Sequence, residues 1–130
     1  MTRKMAREEA FILIFEKAFN DSSVEEILEI AEEVRELKPD DYIKTVFCGV
    51  FEKLEEIDSL ISENAVGWKI ERISKTALSV LRLAIFEIKF MDDIPEAVSV
   101  NEAVELCKKY ATKEDASFVN GFLSTVLKKQ

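Results

Sequence analysis

Residues 76–90 read TALSVLRLAIFEIKF, and this stretch decides the fold. Its apolar side chains fall on nearly every side of a helical wheel, which is typical of a helix surrounded by other helices. The segment is too short for a membrane span, which takes about 20 apolar residues. We therefore expect it to form the central helix of a bundle outside the membrane.

The rest of the composition favours helices as well. The 130 residues include only three glycines and two prolines. Folds rich in sheets need turn residues about every eight to twelve positions, so this scarcity favours long helices in a single all-α domain. We predict six main helices, one short turn at residues 70–73 and no strand.

Helix starts are marked by side chains that can accept a hydrogen bond from a backbone N–H three residues on. Ser23 and Ser99 each precede a glutamate by three positions, which predicts a capping box with Glu26 and with Glu102. Thr2, Asp40 and Thr112 are predicted caps as well, and Ser74 is where the chain restarts before the central helix.

The third helix is predicted to be a single long one, from the cap Asp40 to about residue 64. At 1.5 Å per residue it would be on the order of 35 Å long. Gly49 within it would allow a close helix crossing. Gly67 is the expected boundary between two subdomains, about 1–66 and 67–130.

The charge is unevenly distributed along the chain. The net charge of −8 argues against nucleic acid binding, which depends on lysine and arginine. However, residues 21–63 hold 14 acids and 4 bases, and the remainder of the chain is slightly basic. A basic patch outside the acidic segment is therefore compatible with the sequence.

The residue inventory argues against catalysis. The chain has no histidine, and its three isolated glycines make no phosphate-binding loop. Cys48 and Cys107 lack metal-type spacing, and we interpret them as buried reduced thiols of a cytoplasmic protein. Paired carboxylates such as Glu32 and Glu33 fall on solvent faces. We expect no enzyme, cofactor or metal, with a carboxylate-only metalloenzyme as the remaining alternative.

The second half contains four motifs in order. They are WKIER at 68–72, VLRLAIFE at 80–87, IP at 94–95 followed by VSVNEAVELCKKY at 98–110, and FVNGFL at 118–123. These resemble the NusB family, which carries W-x-x-x-R, LRLA-x-x-E, IP-x-x-V-x-I-N-E-A-V-E-L-A-K-x-Y and FVNG-x-L at these separations. Ala6-Arg7-Glu8 extends the resemblance to the first helix.

The resemblance implies a fold of two packed three-helix bundles and a function in transcription. NusB-like proteins pair with the small-subunit ribosomal protein NusE and bind boxA-type single-stranded RNA. The complex helps RNA polymerase in the elongation complex to resist termination on rRNA operons. The alternative is a homodimeric protein-interaction module with little RNA binding of its own. The same fold in RNA cytosine methyltransferases would need a catalytic domain after Gln130.

The resemblance also implies RNA-binding residues. The family's basic amino terminus corresponds to Arg3, Lys4 and Arg7, and its A-K-x-Y region to Lys108 and Lys109. We expect these side chains to contact RNA phosphates. The alternative is that they are ordinary solvated residues of helix ends.

Two acids are implied to bind the protein partner. Glu87 corresponds to the acid after LRLA, and Glu114 to the acid before the last helix. The alternative for Glu87 is a local ion pair with a base such as Arg82 or Lys89. Trp68 is expected to anchor the core rather than to stack on a base.

The sequence departs from the family pattern at several positions. Phe15 stands where a tyrosine is common, Ala77 and Leu78 replace an acid–arginine pair, and Ser117 replaces a base. Fewer arginines are present at the amino terminus. We therefore predict that RNA affinity depends strongly on NusE.

Overall fold

The computed structural model describes residues 1–65, 67 and 69–128, and within them it contains helices and no strand. The predicted all-α class is confirmed. The elements are α1 (Arg3–Lys17), α2 (Val24–Val34), α3 (Asp41–Glu52), α4 (Leu54–Asn64), a 3₁₀ turn (Ile70–Arg72), α5 (Lys75–Phe90), α6 (Glu96–Tyr110) and α7 (Lys113–Lys128).

Helix α5 is the centre of the bundle, as its all-round apolar sequence predicts. It packs against α1, α3, α4, α6 and α7. Gly49 of α3 lies against the ring of Phe86, and a Cβ at that position would stand 2.3 Å from the Cζ atom. The close crossing predicted from Gly49 is therefore confirmed, because any larger residue would collide with the ring.

Most of the predicted caps are present. The Oγ1 atom of Thr2 accepts the Met5 N–H at 3.1 Å, and Ser23 and Glu26 form the reciprocal capping box. The predicted caps at Asp40 and Thr112 are likewise hydrogen-bonded, and Ser74, where the chain was expected to restart, accepts the Ala77 N–H at the start of α5. These hydrogen bonds confirm the predicted helix starts, each of which depends on residues only three positions apart.

The capping box predicted for Ser99 and Glu102 is wrong. Helix α6 begins one turn earlier, at Glu96 after Pro95, and Ser99 lies inside the helix. Proline favours a helix start because its φ is already helical and it has no N–H to satisfy. The Ser99 hydroxyl is therefore free to make a different bond, which is described below.

The single long third helix is also wrong. The backbone leaves helical angles at Lys53 (φ −105°, ψ 16°), which separates α3 from α4. Ile57 and Ile61 after the break are fully buried in the core that α3 faces. The apolar stripe therefore continues through the break, so its periodicity does not reveal where the helix ends.

The two predicted subdomains share one core in this structure. Buried residues from α1–α4 and from α5–α7 form a single hydrophobic cluster. Gly67 lies in the connecting turn with φ +79°, a value that favours glycine. Trp68 is outside the described residues, so its expected anchoring role is not addressed. The subdomain division near Gly67 stays a prediction. Among the described residues, no helix is long and apolar enough to cross a membrane.

Candidate nucleic-acid interface

A buried polar network lies beneath the amino terminus of α1. Glu87 of α5 is 0% exposed and accepts hydrogen bonds from three other helices. Arg7 of α1 donates to it through Nε at 2.8 Å and Nη2 at 3.4 Å. The Ser99 hydroxyl of α6 donates at 2.7 Å, and the Tyr42 hydroxyl of α3 also donates. Four helices are thus joined at one carboxylate.

Burial makes this network an interdependent unit. Removing charges from water is costly unless they are paired and hydrogen-bonded. Burial opposes the charged form of Arg7, but the hydrogen bond and the charge of Glu87 outweigh it and raise the pKa of Arg7. Burial, followed by the charge of Glu87, raises the pKa of Tyr42. Both groups therefore keep their protons at any ordinary pH.

This placement corrects two expectations from the sequence. Arg7 is 4% exposed, so its guanidinium does not form part of a phosphate-binding surface. Glu87 does not lie on a surface for a protein partner either. Its ion pair is with Arg7, 80 residues away, because Arg82 instead pairs with Asp58 at 2.8 Å and Lys89 with Glu56 at 3.0 Å.

The remaining predicted cations lie at the surface. Arg3 is exposed, and its guanidinium carbon lies 4.6 Å from the centroid of the Tyr42 ring. The side chains of Lys4 and Lys109 are 67% and 61% exposed. The ion pairs of Lys4 with α6 and of Lys109 with α1 place these two cations where α1 and α6 meet, and Arg3 precedes Lys4 at the start of α1. We call the region that carries these three cations the α1–α6 surface.

Carboxylates alternate with the cations on the α1–α6 surface. Lys4 Nζ lies 3.5 Å from Glu102, and Lys109 Nζ lies 2.6 Å from Glu8. The Lys109 hydrogen bond, followed by that of Tyr110, lowers the pKa of Glu8. The cations are therefore partly neutralised, and an RNA phosphate must compete with these carboxylates.

A small groove runs between the two helices of this surface. Its volume is about 150 Å³, and its lining includes Lys4, Arg7, Glu8, Glu102, Glu105, Leu106 and Lys109. All of the lining residues except Leu106 are charged, so the groove offers little apolar surface on which a base could stack. The arrangement therefore fits contact with a sugar–phosphate backbone passing over it rather than insertion of a base.

Lys108 lies on the other side of α6, beside a second and larger groove. That groove, between α6 and α7, has a volume of about 700 Å³ and is lined by Asn101, Val104, Lys108, Ala111, Lys113, Ala116, Ser117 and Asn120. Two lysines, two amides and an apolar floor can together contact phosphates and base edges. Glu114 is exposed in the first turn of α7 next to it.

Several residues of these surfaces are absent from the sequence prediction. Tyr42 reads as one apolar position of α3, and nothing nearby indicates its contact with Arg3. Asn101 and Asn120 lie within the motifs at 98–110 and 118–123 but are not among the predicted site residues, and both are exposed beside the second groove. The acid Glu102 was assigned to a cap. Its spacing two turns before Lys109 was the available signal that both face α1. No cluster of metal-ligating residues occurs within the described part of the chain.

Comparisons with known proteins agree with this architecture. The sequence model of the NusB family matches residues 4–128. The transcription antitermination protein NusB of Clostridium botulinum (strain Loch Maree / Type A3) is 42% identical over 141 residues, covering 98% of this chain and 100% of that protein.

Solved structures extend the agreement to the fold. NusB of T. maritima has a TM-score of 0.87 at 34% identity, covering 100% of this chain and 93% of that one. A chain from a crystal structure of the antitermination factors NusB and NusE in complex with dsRNA also has a TM-score of 0.87. Its identity is 29%, with coverage of 98% and 97%. On sequence and on fold, over nearly its whole length, this chain belongs to the NusB family.

Proposed function

We propose that this chain is a transcription antitermination factor that pairs with the ribosomal protein NusE and binds boxA-type RNA of nascent rRNA transcripts. The observation that carries the proposal is the near full-length match to relatives that are named transcription antitermination protein NusB. A chain of the same fold, crystallised among NusB, NusE and RNA, supports the choice of partners. The complex acts with the elongating RNA polymerase.

We assign RNA phosphate contacts to Arg3, Lys4 and Lys109 of the α1–α6 surface. Their ammonium and guanidinium groups are exposed and lie on two adjacent helices, so one strand can reach all three. Lys108 contacts the same RNA from the second groove. Neutralisation of phosphates by such cations makes binding dependent on salt.

We assign Glu114 to the protein partner. Glu114 is exposed in the first turn of α7, next in sequence to Lys113 of the second groove, and a basic protein can approach it there without crossing the α1–α6 surface. Complementary charge accelerates association and excludes wrong partners. The role is binding rather than catalysis, and the compartment is the cytoplasm, where transcription takes place.

Fluorescence anisotropy of a labelled boxA-type RNA tests the proposal. Binding is measured with and without NusE across a salt series, for the wild type and for Arg3→Ala/Lys4→Ala/Lys109→Ala. We expect NusE to tighten binding. The triple variant should weaken it and flatten the salt dependence by about two, since each phosphate contact on a single strand contributes about 0.7.

A charge-matched control is available at exposed lysines elsewhere in the chain. Lys38→Ala/Lys44→Ala/Lys69→Ala removes the same net charge outside the α1–α6 surface. It should leave the salt slope close to that of the wild type. Equal losses in both triple variants would reject the assigned surface. Association with NusE without any RNA binding would reject the function and favour a protein-interaction module.

A further inference from the structure

Tyr42 connects the buried network to the RNA-binding surface. Its side chain is 5% exposed, and its hydroxyl donates to the carboxylate of Glu87. The face of its ring lies under the guanidinium of Arg3, and the Arg7 guanidinium lies 5.7 Å from the same centroid. The Tyr42 ring is therefore held in place by the hydrogen bond of its hydroxyl, and its face contacts the guanidinium of the exposed residue Arg3.

The geometry leaves Arg3 available for RNA. A guanidinium that stacks on an aromatic ring uses its flat face, and its N–H donors point outward around its edge. Those donors match the oxygens of a phosphate. The ring therefore fixes the direction of Arg3 without consuming the groups that bind RNA.

Arg3 needs such support because of its position. It is the first residue of α1, whose backbone is fixed by the cap at Thr2. Its side chain, however, is exposed and would otherwise sample many rotamers. Ordering a flexible side chain opposes binding, whereas a side chain already held in place binds at a smaller entropic cost.

We propose that Tyr42 is a positioning residue for RNA binding, whose ring, fixed by Glu87, presets Arg3 to meet a phosphate. The inference deepens the proposed function and rests on it. It also gives Glu87 a part in RNA binding without contact to RNA or to a protein partner, since Glu87 acts through the Tyr42 ring.

A double-mutant cycle on RNA affinity tests the proposal. Anisotropy with boxA-type RNA and saturating NusE is measured for the wild type, Tyr42→Leu, Arg3→Ala and the double variant. A cation–π contact at an exposed site corresponds to about a two- to five-fold change in binding. We expect Tyr42→Leu to weaken RNA binding by that factor. In the Arg3→Ala background the same change should have no further effect, because no guanidinium remains to be positioned.

Two further variants keep the test independent of folding. Tyr42→Phe retains the ring and should bind RNA more tightly than Tyr42→Leu. Arg3→Lys changes only an exposed side chain, keeping the charge and losing the planar group. It should lose about two- to five-fold in affinity while its salt slope stays at the wild-type value. An affinity equal to the wild type in Arg3→Lys would overturn the proposal.

The controls distinguish this inference from the function it rests on. NusE affinity and the helical circular dichroism signal should be unchanged in every variant used for the cycle. If Tyr42→Leu and Arg3→Ala act additively on RNA affinity, the positioning role is rejected and the proposed function stands. If the wild type with NusE binds no RNA, the proposed function is rejected, and the role of Tyr42 with it.

Discussion

Glu87 and Glu8 make the same kinds of interaction, but Glu87 is buried and Glu8 lies at the surface. Each accepts a hydrogen bond from a tyrosine hydroxyl and each pairs with a base. Glu87 is 0% exposed, whereas the side chain of Glu8 is 26% exposed. The partners are Tyr42 and Arg7 for Glu87, and Tyr110 and Lys109 for Glu8.

The comparison shows that burial, rather than residue type, separates a structural group from a binding group. Arg7 and Glu8 are adjacent in sequence, yet consecutive residues of a helix point about 100° apart. Arg7 therefore enters the core to meet Glu87, while Glu8 stays at the surface beside Lys109. Water can replace the partners of Glu8 but cannot reach Glu87.

The largest expected effect comes from removing the buried base. Arg7→Met leaves the Glu87 carboxylate charged and without its cation, which costs about 3–5 kcal/mol of stability. Lys4→Met, one turn earlier on α1, removes only a surface pair and should cost at most about 1 kcal/mol. Urea unfolding of the wild type and both variants measures the difference.

A double variant sharpens this result. Replacing both charges in Arg7→Met/Glu87→Leu removes the unpaired carboxylate, so part of the stability lost in Arg7→Met should return. Similar losses in Arg7→Met and Lys4→Met would contradict the importance of burial.

The two tyrosines provide an intermediate effect. Tyr42→Phe removes a donor from a buried carboxylate and should cost about 1–3 kcal/mol. Tyr110→Phe removes the equivalent donor at the surface, where water takes its place, and should cost at most about 1 kcal/mol. Thermal and urea unfolding compare the pair directly. If Tyr110→Phe lowers the free energy of unfolding as much as Tyr42→Phe does, burial does not explain the difference between the two sites.

The smallest effect concerns pH. The hydrogen bond from Lys109, then that from Tyr110, holds the pKa of Glu8 below its ordinary value of 4.5. A lowered folded-state pKa means that Glu8 stabilises the fold above pH 4.5, and that this contribution is lost as the pH falls through the folded-state pKa. Glu8→Gln should therefore unfold at a slightly lower temperature than the wild type at pH 7. The two melting temperatures should converge in acid, and a constant difference across the pH range would argue against the assignment.

Local features of this fold could be predicted from the sequence. The caps at Thr2, Ser23 and Asp40 were predicted correctly, because a cap depends on atoms three residues apart. The central position of α5 was predicted from its lack of a polar face. Both features can be read from the sequence, because a cap involves residues within one helical turn and a helix buried on all sides has apolar residues on all sides.

Features that depend on distant residues could not be predicted. The break at Lys53 has no glycine or proline to mark it, and the apolar stripe continues across it. Ser99 matches a capping box, but the tertiary partner Glu87 takes its hydroxyl. Arg7 reads as a surface base because its partner lies 80 residues away.

For the candidate site, the sequence identified the exposed cations but not their surroundings. Arg3, Lys4 and Lys109 were predicted from the family resemblance, and their roles in RNA binding stay predictions. The contact between Arg3 and Tyr42 joins α1 to α3 across 39 positions of sequence. The mainly apolar sequence of α5 indicated that a charged residue on it could be buried with a partner, but it did not distinguish Glu87 from Arg82 or Lys89.

The long sequence separations within the Glu87 network also have a consequence for synthesis of the chain. The amino terminus leaves the ribosome first, but Glu87, which anchors it, is made 80 residues after Arg7. At about 5–20 residues per second, that interval is roughly 4–16 s. During this interval Arg7 of α1 has no buried partner, so a nascent chain carries Arg3 and Lys4 before the Glu87 network can hold this end of the chain in place. The RNA-binding site proposed above is therefore complete only once α5 and then α6, which carries Lys109, have been translated and have docked.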